Sequence, residues 1–320
     1  MATTMATTVA TATARFFGFV PAAEVVKTFN EARGVWYVEV FDAIPALGAT
    51  AAAWWETAPH KAVNAAIAPV FELARDQPML AVWASLAYVV GIFALKQYMR
   101  SRDALQITPL VAAWDLLLCV FSAAGMMRTV PHLLWHLHTY GWHQNVCGPM
   151  WYMYGSGVTG MWLQLFVLSK YAELLDTVLL ILKKRKVIFL HWFHHAATLM
   201  FCWHAYGIES SLGLFFCAMN YSVHALMYGY YFLAAVHCVP KWFPVPAITV
   251  LQIAQMAAGM TVCASAAYYS WGAGEACEKD STLVYASLMY GVYLVLFCKF
   301  FVDRFILKKY KKGKAKAKTQ

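Results

Sequence analysis

The chain has 320 residues, of which 61% are hydrophobic and 13% charged, with a formal net charge of +9. Soluble domains are about 45–50% apolar and about 25% charged, which excludes an ordinary cytosolic globule, a disordered chain and a fibre. Eight cysteines without a single C-x-x-C pair exclude a zinc ribbon and a densely stapled secreted scaffold.

Residues 1–78 read as an N-terminal extension. It opens with the low-complexity run MATTMATTVATATA, a poorly ordered tail, and residues 31–76 read as short helices lying at a membrane interface. About 20 apolar residues cross a bilayer as a helix, and seven stretches have that character: 79–98, 107–128, 155–182, 187–206, 212–236, 243–270 and 282–306. The reading is an all-α polytopic membrane domain over 79–306, followed by a basic tail over 307–320.

Lys and Arg mark the cytosolic loops of such a chain. Lys96, Arg100 and Arg102 follow the first span, Lys183-Lys184-Arg185-Lys186 separates the third from the fourth, Lys241 follows the fifth, and seven lysines run from Lys308 to Lys318. The connections at 129–154 and 207–210 hold none, and EACEKD at 275–280 is net acidic. The N-terminus is therefore expected on the lumenal side and the C-terminus in the cytosol. The basic excess is membrane topology rather than a nucleic-acid surface. Of the cysteines, Cys147 and Cys277 alone fall in non-cytosolic connections, so a Cys147–Cys277 disulfide is expected.

Ionisable groups within a bilayer are costly and mark a site or a pathway. The third span carries KYAELLDT, with Lys170, Glu173 and Asp176 at three-residue steps on one helical face. The fourth opens with HWFHH, so that His191, His194 and His195 project from one side. The fifth carries MNYSVHALMYGYY, aligning Asn220, His224, Tyr228 and Tyr231, and the sixth carries TVLQIAQ with Gln252 and Gln255. Successive polar faces point to an interior cavity. His191 to His195 follow Lys186 by roughly 7–14 Å of helix, so they sit inside the membrane near the cytosolic face. A cationic mouth above an apolar tube suits a substrate with a charged head and a long tail, as in an acyl-CoA.

Two chemistries use such histidines. Neutral imidazoles ligate iron in membrane desaturases and hydroxylases, but those enzymes need more histidines on one membrane face than this chain supplies. His132, His136, His138 and His143 fall toward the opposite face from His191–His195. The other chemistry is nucleophilic: an unprotonated imidazole attacks a thioester and becomes an acyl-imidazole. Asp176, Glu173 and Asn220 are then candidates to fix the tautomer, and His224 to stabilise charge or move a proton. A seven-helix receptor or transporter is the third reading, and no DRY-like motif supports it.

KYAELLDTVLLILKKRK, HWFHH, MNYSVHALMYGYY and TVLQIAQ resemble the successive signature blocks of the ELO family of fatty acid elongases, across about residues 79–306. FVLSK, IFLHWFHH and LMYGVYLVLFC are most similar to the branch handling C12–C16 saturated and monounsaturated chains. The resemblance implies a seven-helix enzyme of the endoplasmic reticulum, six helices forming an inverted barrel around an acyl tunnel. It implies condensation of acyl-CoA with malonyl-CoA to a 3-oxoacyl-CoA two carbons longer, with release of CO2 and CoA and with no metal or other cofactor. His194 is implied as the acyl carrier and His224 as the partner in the second half-reaction, with His191, His195, Asp176 and Asn220 orienting and polarising. Lys170, Glu173, Lys183, Lys184, Arg185, Tyr228, Tyr231, Gln252 and Gln255 are the further candidates for substrate contacts. Expected partners are the lipid bilayer, the two CoA thioesters, other enzymes of an elongation cycle and a second copy of the chain. Lys316 and Lys318 stand as in a KxKxx retrieval signal.

Overall fold

The computed structural model describes residues 24–30, 35–41 and 69–307. Within the N-terminal extension, β1 (Glu24–Asn30) and β2 (Val35–Phe41) pair antiparallel, from Glu24 opposite Phe41 to Asn30 opposite Val35. The strand at 35–41 replaces the interfacial helix expected there. VWYVEVF is almost wholly β-branched and aromatic, which favours a pleated chain over a helix. Trp54, Trp55 and the tail with Lys316 and Lys318 lie outside the described residues.

Ten helices follow among the described residues: α1 (Pro69–Asp76), α2 (Leu80–Tyr98), α3 (Thr108–Cys147), α4 (Met150–Met153), α5 (Gly157–Ala172), α6 (Leu175–Leu182), α7 (Phe189–Gly207), α8 (Gly213–Ala235), α9 (Val245–Ala267) and α10 (Asp280–Phe301). By length and composition, the stretches Leu80–Ser101, Thr108–Cys147, Val245–Gly272 and Asp280–Leu307 can cross a membrane. The chain is thus a polytopic helical membrane protein. α7 and α8 are long enough but less apolar, since their inner faces carry histidine, asparagine and tyrosine. α5 and α6 are each too short to count alone.

Two expected boundaries are corrected. The region 129–154 is not a loop: α3 runs on through Pro131 to Cys147 and bends at Gly141, whose φ of 74° and ψ of 178° interrupt the helix. Only glycine takes that conformation without strain. The third span is likewise not continuous, because residues 173–174 form a tightened turn in which Leu174 N bonds Tyr171 O and Asp176 N bonds Glu173 O. These i→i+3 bonds alter the helical phase between α5 and α6.

Packing closes a ring. α3 lies against α8, α8 against α9, α9 against α10, α10 against α7, α7 against α5, and α5 against α3. α2 stands outside and packs on α6 and α7, with Ser85 Oγ donating to Ala196 O at 3.2 Å. Gly125 lets α3 approach α8 closely, since a Cβ there would lie 2.5 Å from the Tyr221 ring. Cys147 at the end of α3 is disulfide-bonded to Cys277 ahead of α10, their Cα atoms 4.2 Å apart.

Helices α6, α7 and α8 all end with a left-handed residue that is not glycine. Lys184, Glu209 and His237 have φ of 51°, 62° and 58°. Each is followed by a bond reaching back five residues: Arg185 N to Leu180 O, Ser210 N to Ala205 O and Cys238 N to Leu233 O. These are Schellman caps, which satisfy carbonyls left open at a helix end.

Candidate active site

The break between α5 and α6 lets Lys170, Glu173, Asp176 and Thr177 of this segment all address the interior, while Ala172 and Leu175 face outward. Lys170 and Glu173 point into the ring, each 3% exposed. Lys170 Nζ donates to Glu173 Oε1 at 2.7 Å and to Asn220 Oδ1 on α8 at 3.0 Å, and stands 4.1 Å from the Phe166 ring centroid. Asn220 Nδ2 is 3.1 Å from His224 Nε2, and Glu173 Oε2 is 4.0 Å from His224 Nδ1. A buried ion pair of this kind survives because each charge is also hydrogen-bonded.

One helical turn further on, Asp176 collects donors from two other helices. Trp114 Nε1 on α3 donates to Oδ1 at 2.5 Å, and the Tyr228 hydroxyl on α8 donates to Oδ2 at 2.7 Å. His195 Nε2 lies 3.9 Å from the same Oδ2. Thr177 links His191 Nε2, at 2.9 Å, to the Tyr88 hydroxyl on α2, at 2.6 Å. The helix outside the ring therefore still reaches the histidine box.

His194 is held through its backbone and left open at its ring. Its carbonyl accepts from the Tyr293 hydroxyl at 3.1 Å, and the two rings lie 4.9 Å apart. Among the described residues the His194 imidazole takes no hydrogen bond, whereas the rings of His191 and His224 each have one. A ring packed against an aromatic face with free nitrogens directed at a cavity is what a nucleophile requires.

The cavity has a volume of about 150 Å³. Asp176, His191, His194, His195, Asn220, His224, Tyr228, Tyr231, Gln252 and Gln255 line it, together with Ile188, Met227, Phe297 and Phe300. Tyr231, 43% exposed, marks the open end. His194, Asn220, Gln255 and Met256 also wall a second, smaller space of about 30 Å³. That space shares Phe166, Phe201, Cys202 and Phe216 with a third of about 30 Å³, lined also by Met150, Tyr154, Ser210 and Gly213. The polar cavity is thus continued inward by apolar ones, and the floor is fixed by the Tyr154 hydroxyl, which bonds Ser210 O and accepts from Gly213 N at 2.9 Å.

Five sequence candidates lie off this wall. Lys170 and Glu173 stand behind it, facing Asn220 and His224 rather than the space. Lys183 is bonded to Thr108 Oγ1 at 2.9 Å, Lys184 reaches Arg100 O at 3.5 Å, and Arg185 is exposed beside them. His132 and His136 are remote from the box: they stack on each other at 4.2 Å, and His132 bonds Met153 O at 2.8 Å. Among the described residues no three of His, Cys, Asp and Glu are arranged to hold a metal ion.

Sequence reasoning missed Trp114, Thr177, Tyr293 and the buried Asp115, which neighbours Trp114 on α3. Asp115 carried a readable signal, an acid within an apolar span. Trp114, Thr177 and Tyr293 carried none, because aromatic and hydroxyl side chains are ordinary in membrane helices.

The sequence profile of the family described as ELO: GNS1/SUR4 matches residues 73–314. The chain is 39% identical over 224 residues to very long chain fatty acid elongase 6 of Gallus gallus, covering 69% of this chain and 83% of the relative. It is 39% identical to the Homo sapiens protein of the same name, covering 72% and 86%. A Trypanosoma cruzi very long chain fatty acid elongase 4 is 33% identical, with coverage of 81% and 90%.

Proposed function

The chain belongs to the ELO (GNS1/SUR4) family and is a condensing enzyme of fatty acid elongation, and from that premise we propose that it joins a long-chain acyl-CoA to malonyl-CoA through an acyl-imidazole on His194. The observation that carries this reading is the position of His194 where the polar cavity meets the apolar ones, with its ring unbonded. The acyl tail lies in the inner spaces toward Met150 and Tyr154, and the carrier occupies the wide end near Tyr231.

In the first half-reaction a His194 ring nitrogen attacks the thioester carbonyl. The C–S bond breaks, and CoA leaves as the thiol with the imidazole proton. Malonyl-CoA then loses CO2, and its carbanion attacks the acyl-imidazole carbonyl. The C–N bond breaks and the imidazole takes back one proton from solvent. The sum is acyl-CoA, malonyl-CoA and one proton going to 3-oxoacyl-CoA, CO2 and CoA. His224, across the cavity, stabilises charge on the carbonyl oxygen and handles the proton, while Asp176 and His195 polarise. Gln252 and Gln255 offer amide contacts, and Tyr231 with the basic residues Lys183, Lys184 and Arg185 guides the carrier at the mouth.

Seven spans cross the bilayer in this proposal: α2, α3, the α5–α6 pair, α7, α8, α9 and α10. The chain is placed in the endoplasmic reticulum on its family membership, and the loop charges support a lumenal N-terminus and a cytosolic C-terminus. A disulfide on the side opposite the basic loops fits an oxidising lumen. Other elongation enzymes and a second copy of the chain are the partners proposed with it.

Purified protein given palmitoyl-CoA alone gains one acyl mass and releases CoA, and His194→Ala does neither. Adding malonyl-CoA yields CO2 and the 3-oxo product. Failure to form product from any long-chain acyl-CoA rejects the condensation on these substrates, and product without an adduct rejects the two-step route.

A further inference from the structure

Lys170 sits behind the cavity wall, and its contacts form a chain with a direction. An ammonium has hydrogens to give and no lone pair. Since Lys170 Nζ lies 3.0 Å from Asn220, the atom facing it must be the amide oxygen. That removes the twofold ambiguity of the amide, whose nitrogen must then face His224 Nε2 at 3.1 Å. A donating Nδ2 requires a lone pair on Nε2. The ring proton of neutral His224 is therefore on Nδ1, the nitrogen facing Glu173 Oε2 at 4.0 Å.

We propose that Lys170 is a positioning residue that sets the tautomer of His224, acting through Asn220, so that Nε2, whose lone pair accepts from Asn220 at rest, is the basic nitrogen of the ring during condensation. This deepens the proposed mechanism and rests on His224 serving its second half-reaction. A carboxylate facing one ring nitrogen at 4.0 Å and an amide donor on the other together orient the imidazole, as an acid orients a catalytic histidine. Lys170 has the second task of neutralising Glu173, so that the carboxylate can face Nδ1–H in a buried place. The cationic side chain is thereby assigned inward, to the imidazole, rather than to the carrier.

The tautomer is read without substrate, from 15N shifts of histidine-labelled full-length protein in lipid nanodiscs, with His224 assigned by the signals lost in His224→Asn. Wild type should show a protonated-type Nδ1 and an unprotonated-type Nε2. Glu173→Gln keeps this pattern, because the ammonium still claims the amide oxygen. Lys170→Arg, which also only donates, keeps it too. The double variant Lys170→Met with Glu173→Gln, which leaves no unpaired buried charge, should give mixed or inverted shifts. It should still form the acyl adduct on His194 while the rate of product formation after malonyl-CoA falls at least tenfold. An Nε2-protonated His224 in wild type, or unchanged shifts in the double variant, overturns the proposal. Absence of the adduct in wild type instead overturns the two-step mechanism and leaves the tautomer result standing.

Discussion

Trp114 Nε1 donates to Asp176 Oδ1 at 2.5 Å, joining the second apolar stretch of the chain to the acid that faces the histidine box. With Tyr228 on the other oxygen, Asp176 is held from two helices at once. A hydrogen bond to an acidic group contributes about 1.5–3 kcal/mol. Trp114→Phe keeps an aromatic ring, smaller than the indole, and removes the donor, so kcat/KM for condensation should fall by about 10- to 100-fold. Trp114→Phe combined with Tyr228→Phe should cost more or less than the sum of the single effects, as expected for groups sharing one acceptor. Strict additivity in steady-state assays would mean that the two donors act separately.

The inner cavities set a length limit that can be moved. Ala205 lines the innermost one beside Tyr206 and Ser210. Ala205→Leu fills that space, and the longest acyl-CoA accepted should shorten by about two to three methylenes, the bulk added by the larger side chain. Product profiles from a series of acyl-CoA lengths should lose their long end and keep their short end. A uniform loss at all lengths would show that the tail does not reach this cavity.

The Cys147–Cys277 bridge closes a sequence separation of 130 residues. Cross-links over long loops stabilise by about 2–4 kcal/mol, mainly by restricting the unfolded chain. Cys147→Ser, Cys277→Ser and the double variant should lower the thermal midpoint equally, and reductant should lower that of wild type alone. Peptide mapping without reductant should recover the linked pair.

His237 holds a left-handed conformation at the exposed end of α8. That geometry costs an L-residue about 1–2 kcal/mol relative to glycine. His237→Gly should therefore raise the thermal midpoint measured in nanodiscs, with condensation activity retained. A lowered midpoint would show that the imidazole contributes more at this cap than the backbone strain removes.

The box and its neighbours could be read from the chain because the bilayer makes every polar residue conspicuous. Asp176, His191, His194, His195, Asn220, His224, Tyr228, Gln252 and Gln255 were visible as helical faces with no other reason to be polar, and all of them line one cavity. Lys170 and Glu173 were equally conspicuous, yet helical spacing could not show that they stand one layer behind. The Schellman ends at Lys184, Glu209 and His237 were silent, since their usual marker is a glycine.

Hydropathy and charge alone determined that this is a helical membrane chain with an imidazole cluster toward one face, because both are one-dimensional properties written residue by residue. Which helices close the ring, what turns the Asn220 amide toward His224, and where the apolar spaces end were decided only in three dimensions. Those features depend on groups between 50 and 130 residues apart, such as Lys170 with Asn220 and Cys147 with Cys277. Local periodicity fixes the direction of a side chain from its own helix, and it holds no information on what another helix brings to meet it.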